Sequence, residues 1–201
     1  MQYKTKKRVI LWFFILVLII LYFFKNWSLF LTTIGAIVTL IMFYYIDSLF
    51  DIQFKLRHYI FLILMIVAGF LLFPLYEVYS YYDKIQHFLT PLLGSVMVFY
   101  AINKTKIDFK WKILITFSTI VCLVSLWEIG EYLGDVLFNF NFQGVFVKEI
   151  VEGLERLNIV QSRIDDTMID MMLGVFGSLV FITGQTIYFF YNRKFGKKTK
   201  S

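Results

Sequence analysis

The chain has 201 residues, 59% of them hydrophobic and 20% aromatic, with a mean hydropathy of +0.72. Soluble domains carry about 45–50% apolar and about 25% charged residues; with 17% charged residues here, water is excluded as the main solvent. The net charge of +6 falls in short basic blocks between apolar runs, not along one face, so no nucleic-acid partner is expected, and the single Cys122 excludes both an intrachain disulfide framework and a thiolate zinc site.

A hydrocarbon core about 30 Å thick needs roughly 20 apolar helical residues. Six runs approach that length, predicting an all-α, polytopic helical bundle that forms a single membrane domain. The spans cover about 9–24, 28–46, 59–76, 84–102, 111–138 and 167–191. The first follows Lys4, Lys6, Lys7 and Arg8 as a signal peptide would, but no small-residue cleavage site follows Phe24, so it reads as a retained anchor. Lys25-Asn26-Trp27 then reads as an interfacial turn, and His58, beside Arg57, as a solvated interface residue. The outer loop 139–166 carries Val147, Ile150, Val151, Leu154 and Leu157 at helical spacing opposite Lys148, Glu149, Glu152 and Glu155, which predicts a short amphipathic helix covering the bundle end.

Orientation follows from Lys and Arg in the short loops. With the N-terminus inside, the cytoplasmic segments hold 15 of the 20 basic residues: the four named above, then Lys55, Arg57, Lys104, Lys106, Lys110, Lys112, Arg193, Lys194, Lys197, Lys198 and Lys200. Both termini are therefore expected in the cytoplasm, in a cell membrane. Only Asp47, Asp51 and Asp108 of the 14 acids fall inside, which leaves 11 at or beyond the outer surface.

Charged groups inside spans cost a few kcal/mol each unless paired, solvated or bound to an ion. In YYDKIQHFLTP, Asp83 and His87 share a face at i, i+4 beside Lys84, and Pro91 frees the carbonyl of His87. In SLWEIGEYLGD, Glu128, Glu131 and Asp135 fall at i, i+3 and i+7, with Gly130 and Gly134 allowing close helix contact. In RIDDTMIDMMLGVFG, Arg163 precedes Asp166 and Asp170 at i, i+4, followed by Gly174 and Gly177. Chain direction sets all three groups at the same depth. Six carboxylates against Lys84 and Arg163 call for cations or shared protons. One imidazole among carboxylates suits Mg, Mn, Fe(II) or Zn, so the candidate metal ligands are Asp83, His87, Glu128, Glu131, Asp135, Asp166 and Asp170, with His87 and Glu131 as candidate acid–base groups. The cofactor is otherwise unknown. Each residue also has a plainer reading: His87 as a packing residue, Asp83–Lys84 as an interfacial ion pair, Asp165 and Asp166 as cap and first-turn residues of the last helix. Glu128, Glu131 and Asp170 lie a turn or more inside their spans, where capping and surface solvation do not account for them.

These motifs resemble the YjdF-like family of small bacterial inner-membrane proteins, with its Tyr-Asp-(Lys/Arg)-x-x-His, Glu-rich helix end and Asp-Thr-x-x-Asp-Met elements. They fall here on Tyr82, Asp83, Lys84 and His87, on Glu128 and Glu131, and on Asp166, Thr167, Asp170 and Met171. The likeness spans roughly the last 120 residues and implies a membrane location and a shared site, but no reaction. A looser likeness connects the chain to VanZ-like proteins, associated with glycopeptide resistance. Arg163 and Asp166 fit their order, whereas Asp170 stands where they have Asn, so no resistance role is carried over.

Three functions fit. One is an outward-facing site that binds a divalent cation and binds or acts on an amphiphile or cell-envelope precursor, with the lipid bilayer as the other partner. The chain has no G-x-S-x-G, no HExxH and no phosphate-cradling glycine loop, so whether it is an enzyme rests on this constellation alone. The second is an ion- or proton-coupled transporter, against which stands the clustering of acids at one end. The third is a structural or accessory protein whose polar residues lock helices together.

Overall fold

The computed structural model describes residues 3–24, 27–72, 74–138, 142–151 and 154–195. Lys25 and Asn26 of the expected turn, Asn139 and Glu152 of the outer loop, and Lys197, Lys198 and Lys200 lie outside the described residues. The chain, expected as one domain, clusters into two compact units, Met1–Val78 and Tyr79–Ser201.

The first unit comprises α1 (Tyr3–Phe24), α2 (Trp27–Leu49), α3 (Leu56–Ile66), a π-helical turn at Val67–Leu71, and the short α4 (Pro74–Val78). The chain leaving α2 turns through Asp51 and Gln53, both at positive φ (45° and 56°). That backbone strain is offset by Asp47 at the end of α2. Its carboxylate accepts from Lys6 Nζ (2.6 Å), Tyr59 Oη (2.6 Å) and the Phe54 backbone N–H (3.0 Å), tying α1, α2, the turn and α3 to one buried group. His58 is not solvated as expected. It is 1% exposed, stands edge-on to Phe54, and accepts the Lys55 N–H on Nδ1 at 3.1 Å, which caps the start of α3.

The second unit comprises α5 (Tyr82–Ile102), α6 (Phe109–Phe138), a hairpin of β1 (Val145–Val151) and β2 (Leu154–Gln161), and α7 (Arg163–Phe195). Helix α7 packs along both α5 and α6. Gly177 makes the α5 contact possible, since a Cβ there would stand 2.3 Å from the Phe88 carbonyl oxygen. A Cβ on Gly174 would stand 2.8 Å from the Val124 methyls of α6, whereas Gly130, expected at a contact, faces open space. At the opposite end from the hairpin, Phe109 stacks on Phe189 with ring centroids 4.0 Å apart.

Helices α5, α6 and α7 are long and apolar enough to cross a membrane; Thr33–Leu49 and Leu56–Phe70 are shorter apolar stretches. At 1.5 Å per residue, the 21 residues of α5 span about 31 Å, the thickness of the hydrocarbon core, while the 30 and 33 residues of α6 and α7 must tilt or project beyond it. Burial is inverted relative to a soluble protein. Leu123, Leu126, Trp127 and Ile129 lie outward while Thr116, Glu128, Asp170 and Ser178 are buried. Lipid removes the drive to hide apolar groups, and polar groups turn inward to find partners.

The expected amphipathic helix in the outer loop is instead the antiparallel hairpin, with Val147 opposite Asn158 and Val151 opposite Leu154. The apolar positions fit a helical period, but Val145, Val147, Ile150 and Val151 are β-branched and favour a pleated strand. Gly153, between the two runs in sequence, is the turn signal that separates them.

Candidate functional site

Helices α5 and α7 begin, and α6 ends, at one end of the second unit, and the buried charges meet there. The first turn of α5 supplies Asp83 and, one turn on, His87 above it. Asp83 divides its carboxylate: Oδ2 accepts from Lys84 Nζ at 2.8 Å and Oδ1 faces His87 Nε2 at 3.3 Å. Lys84 goes well beyond a local ion pair. Its ammonium also donates to Asp166 and to both oxygens of Asp170, at 2.8 and 2.9 Å, so a single cation gathers carboxylates from α5 and α7. Asp166 and Asp170 are 3% and 1% exposed.

His87 faces the third helix with its other nitrogen, Nδ1, 3.4 Å from Glu128 Oε1, while Nε2 lies 4.0 Å from Asp170 Oδ2. Glu128 is 4% exposed, and among the described residues its oxygens meet the His87 imidazole and the Thr167 hydroxyl without a hydrogen bond of good geometry. A buried carboxylate so poorly supplied with donors costs several kcal/mol, a cost that a proton or a cation offsets. Four carboxylates (Asp83, Glu128, Asp166 and Asp170) thus face one ammonium and one imidazole, and acids remain in surplus even with His87 protonated.

Donor atoms of Asp83, His87 and Asp170 lie within 4.8 Å of one another. A divalent ion with ligands at about 2.1 Å sets neighbouring donors roughly 3.0–3.4 Å apart. The Asp83–His87 gap of 3.3 Å already matches, and the 4.0 Å to Asp170 closes with a shift of under about 1 Å. This donor set, one imidazole with hard oxygens and no thiolate, fits Mg, Mn, Fe(II) or Zn.

Other expected ligands stand apart. Glu131, half-buried, accepts Trp127 Nε1 at 2.7 Å at the rim of the cluster, within electrostatic reach of His87 and Glu128. Asp135 accepts the backbone N–H groups of Phe142 and Gln143, at 2.7 and 3.2 Å, fixing the chain that leaves α6. Arg163, largely exposed, lies 3.9 Å from Asp135 Oδ2 and does not reach the cluster. At the start of α7 the cap is Ser162: its hydroxyl accepts the Asp165 N–H at 3.2 Å and donates to Asp165 Oδ2 at 2.6 Å.

Sequence reasoning missed the root of the hairpin. The Gly144 N–H, at φ +92°, donates to Asp166 Oδ2 at 2.7 Å, and Gln143 Nε2 donates to Thr167 Oγ1 at 3.0 Å. Asp166 therefore joins the hairpin backbone to Lys84. The signal was a Gln-Gly pair just before a β-branched run. Deeper in the bundle, the buried hydroxyls of Ser95 and Ser178 lie 3.2 Å apart across α5 and α7.

Compared with known proteins, the chain matches, over residues 7–190, the family model described as "Predicted membrane protein (DUF2238)". No curated protein and no solved structure matches it.

Proposed function

Because the chain belongs to the DUF2238 family of predicted membrane proteins, we propose that it is a six-span protein of the cell membrane, with both termini cytoplasmic and an outward-facing site that binds one divalent cation. Asp83, His87 and Asp170 hold the ion, with Glu128 beside it. The observation that carries this reading is the buried carboxylate of Glu128, which makes no hydrogen bond of good geometry among the described residues, set against a triad whose donor atoms already lie within 4.8 Å. The likeness of the same three motifs to YjdF-like proteins supports treating them as one site.

An ion at this depth, near the end of three long apolar helices, meets the headgroup region of an amphiphile or a cell-envelope precursor. It would polarise a phosphoryl or carbonyl oxygen there, with Glu131 at the rim within reach of a bound headgroup as acid or base. Metal content by mass spectrometry on the detergent-purified protein tests the reading. Wild type carries near-stoichiometric metal, and a His87→Gln, Asp170→Asn double variant that still elutes as a folded species has lost it. Metal absent from both would sink the proposal.

A second reading, a structural lock, is favoured by the Lys84 ammonium, which joins three carboxylates and two helices. It predicts that Asp170→Asn lowers stability and abundance with no metal to lose.

A further inference from the structure

We propose that the Lys84 ammonium holds the position of a second metal ion, so that the site takes a single divalent cation; the inference rests on the metal reading above. An ammonium has three N–H donors, and those of Lys84 are taken up by Asp83, Asp166 and Asp170. Asp83 bridges, offering Oδ2 to Lys84 and Oδ1 to the side of His87; Asp170 gives both oxygens to Lys84, at 2.8 and 2.9 Å, and its Oδ2, the oxygen nearest His87 Nε2 at 4.0 Å, is shared between the two sides. Carboxylates that bridge in this way hold paired metal ions about 3.5–4 Å apart in two-metal sites. Here one of the two positions is filled by a cation built into the chain. The His87 side is left for the ion, and the buried Glu128, 4% exposed and without a hydrogen bond of good geometry among the described residues, turns its Oε1 toward the same imidazole.

The division has chemical consequences. A resident ammonium holds Asp166 and Asp170 in place without any metal, so α5 and α7 stay registered when the ion leaves. It also repels the ion next to it. A like charge some 4–6 Å away shifts a neighbouring ionic equilibrium by one to three powers of ten. Lys84 therefore sets both the stoichiometry and the affinity of the site.

Manganese titration of the detergent-purified full chain, read by calorimetry and by electron paramagnetic resonance, tests this. Wild type binds one equivalent. Lys84→Met, of similar length but uncharged, binds two, with exchange-coupled Mn–Mn signals, or binds the first at least about tenfold more tightly. Lys84→Arg, which keeps the charge, stays at one. Should the methionine variant fail to fold, Lys84→Gln gives the same comparison with an N–H donor retained. One equivalent at unchanged affinity in wild type and in the uncharged variant would overturn the role of Lys84 while leaving the metal reading intact. No binding in either would overturn both. Binding only in the uncharged variant would uphold Lys84 as the stand-in cation and refute a metal in the native protein.

Discussion

Each unit buries a lysine among acids, and the two arrangements are built to opposite standards. In the first, Lys6 meets one carboxylate, and Asp47 is saturated by Lys6, Tyr59 and the Phe54 N–H. In the second, Lys84 meets three carboxylates, and a fourth, Glu128, makes no hydrogen bond of good geometry among the described residues. A closed network has nothing left to bind and serves the fold. An unbalanced one is stable only with something added, and that is the mark of a site. Buried charge occurs in both places, so the count of satisfied lone pairs, not the mere presence of buried charge, separates structure from function.

The comparison breaks most easily at Asp47. Asp47→Asn strands Lys6, 1% exposed, and loosens Tyr59 and the strained turn at once. A loss of about 3–5 kcal/mol is expected, read as a lower unfolding midpoint in mixed micelles. A Lys6→Met, Asp47→Leu double variant should recover most of it, since replacing both partners of a buried pair by apolar groups removes the desolvation cost along with the attraction. If the single variant were as stable as wild type, saturation would not be what holds the first unit together.

The next effect has the opposite sign. Glu128→Met takes away a buried carboxylate whose donors are poorly aligned, so the metal-free protein should gain about 1–3 kcal/mol, while manganese affinity falls. Stability rising as binding falls is what a site held under electrostatic stress predicts. Loss of both together would instead mark Glu128 as part of a lock like that around Asp47.

Some of this was legible in the sequence because some of it is local. Apolar runs bounded by charge fall on helices, of which α5, α6 and α7 are long and apolar enough to cross a membrane, and the i, i+4 rule sets Asp83 beneath His87. What escaped depends on partners far along the chain. Lys6 and Asp47 are 41 residues apart, and Lys6 reads as one more cation of a basic N-terminus. Glu128 and Asp135 look equivalent on one face of α6, yet the chain turning back at Phe142 gives Asp135 two backbone donors and Glu128 none of good geometry among the described residues. The hairpin was lost to a period that apolar residues satisfy in either conformation, where β-branching and Gly153 were the better guide.

The smallest expected effect sharpens the contrast from the neutral side. Ser95 Oγ lies 2.8 Å from the Pro91 carbonyl oxygen and 3.2 Å from Ser178 Oγ, with both serines fully buried. A hydroxyl carries one hydrogen. With that of Ser95 committed to the carbonyl one turn back, Ser178 donates across the helices, and Ser178→Ala loses only that interhelical bond. Hydrogen bonds of this kind in membrane bundles average about 0.6 kcal/mol, because the separated helices also find partners. The small side chain keeps the α5–α7 approach set by the neighbouring Gly177, so no packing is lost with it. An unfolding midpoint shifted by no more than that amount would leave the charged networks as the terms that distinguish the two units. A loss of about 2 kcal/mol or more would put a neutral pair on a level with the buried ions, and the contrast between saturated and unsaturated carboxylates would no longer explain which residues the fold depends on.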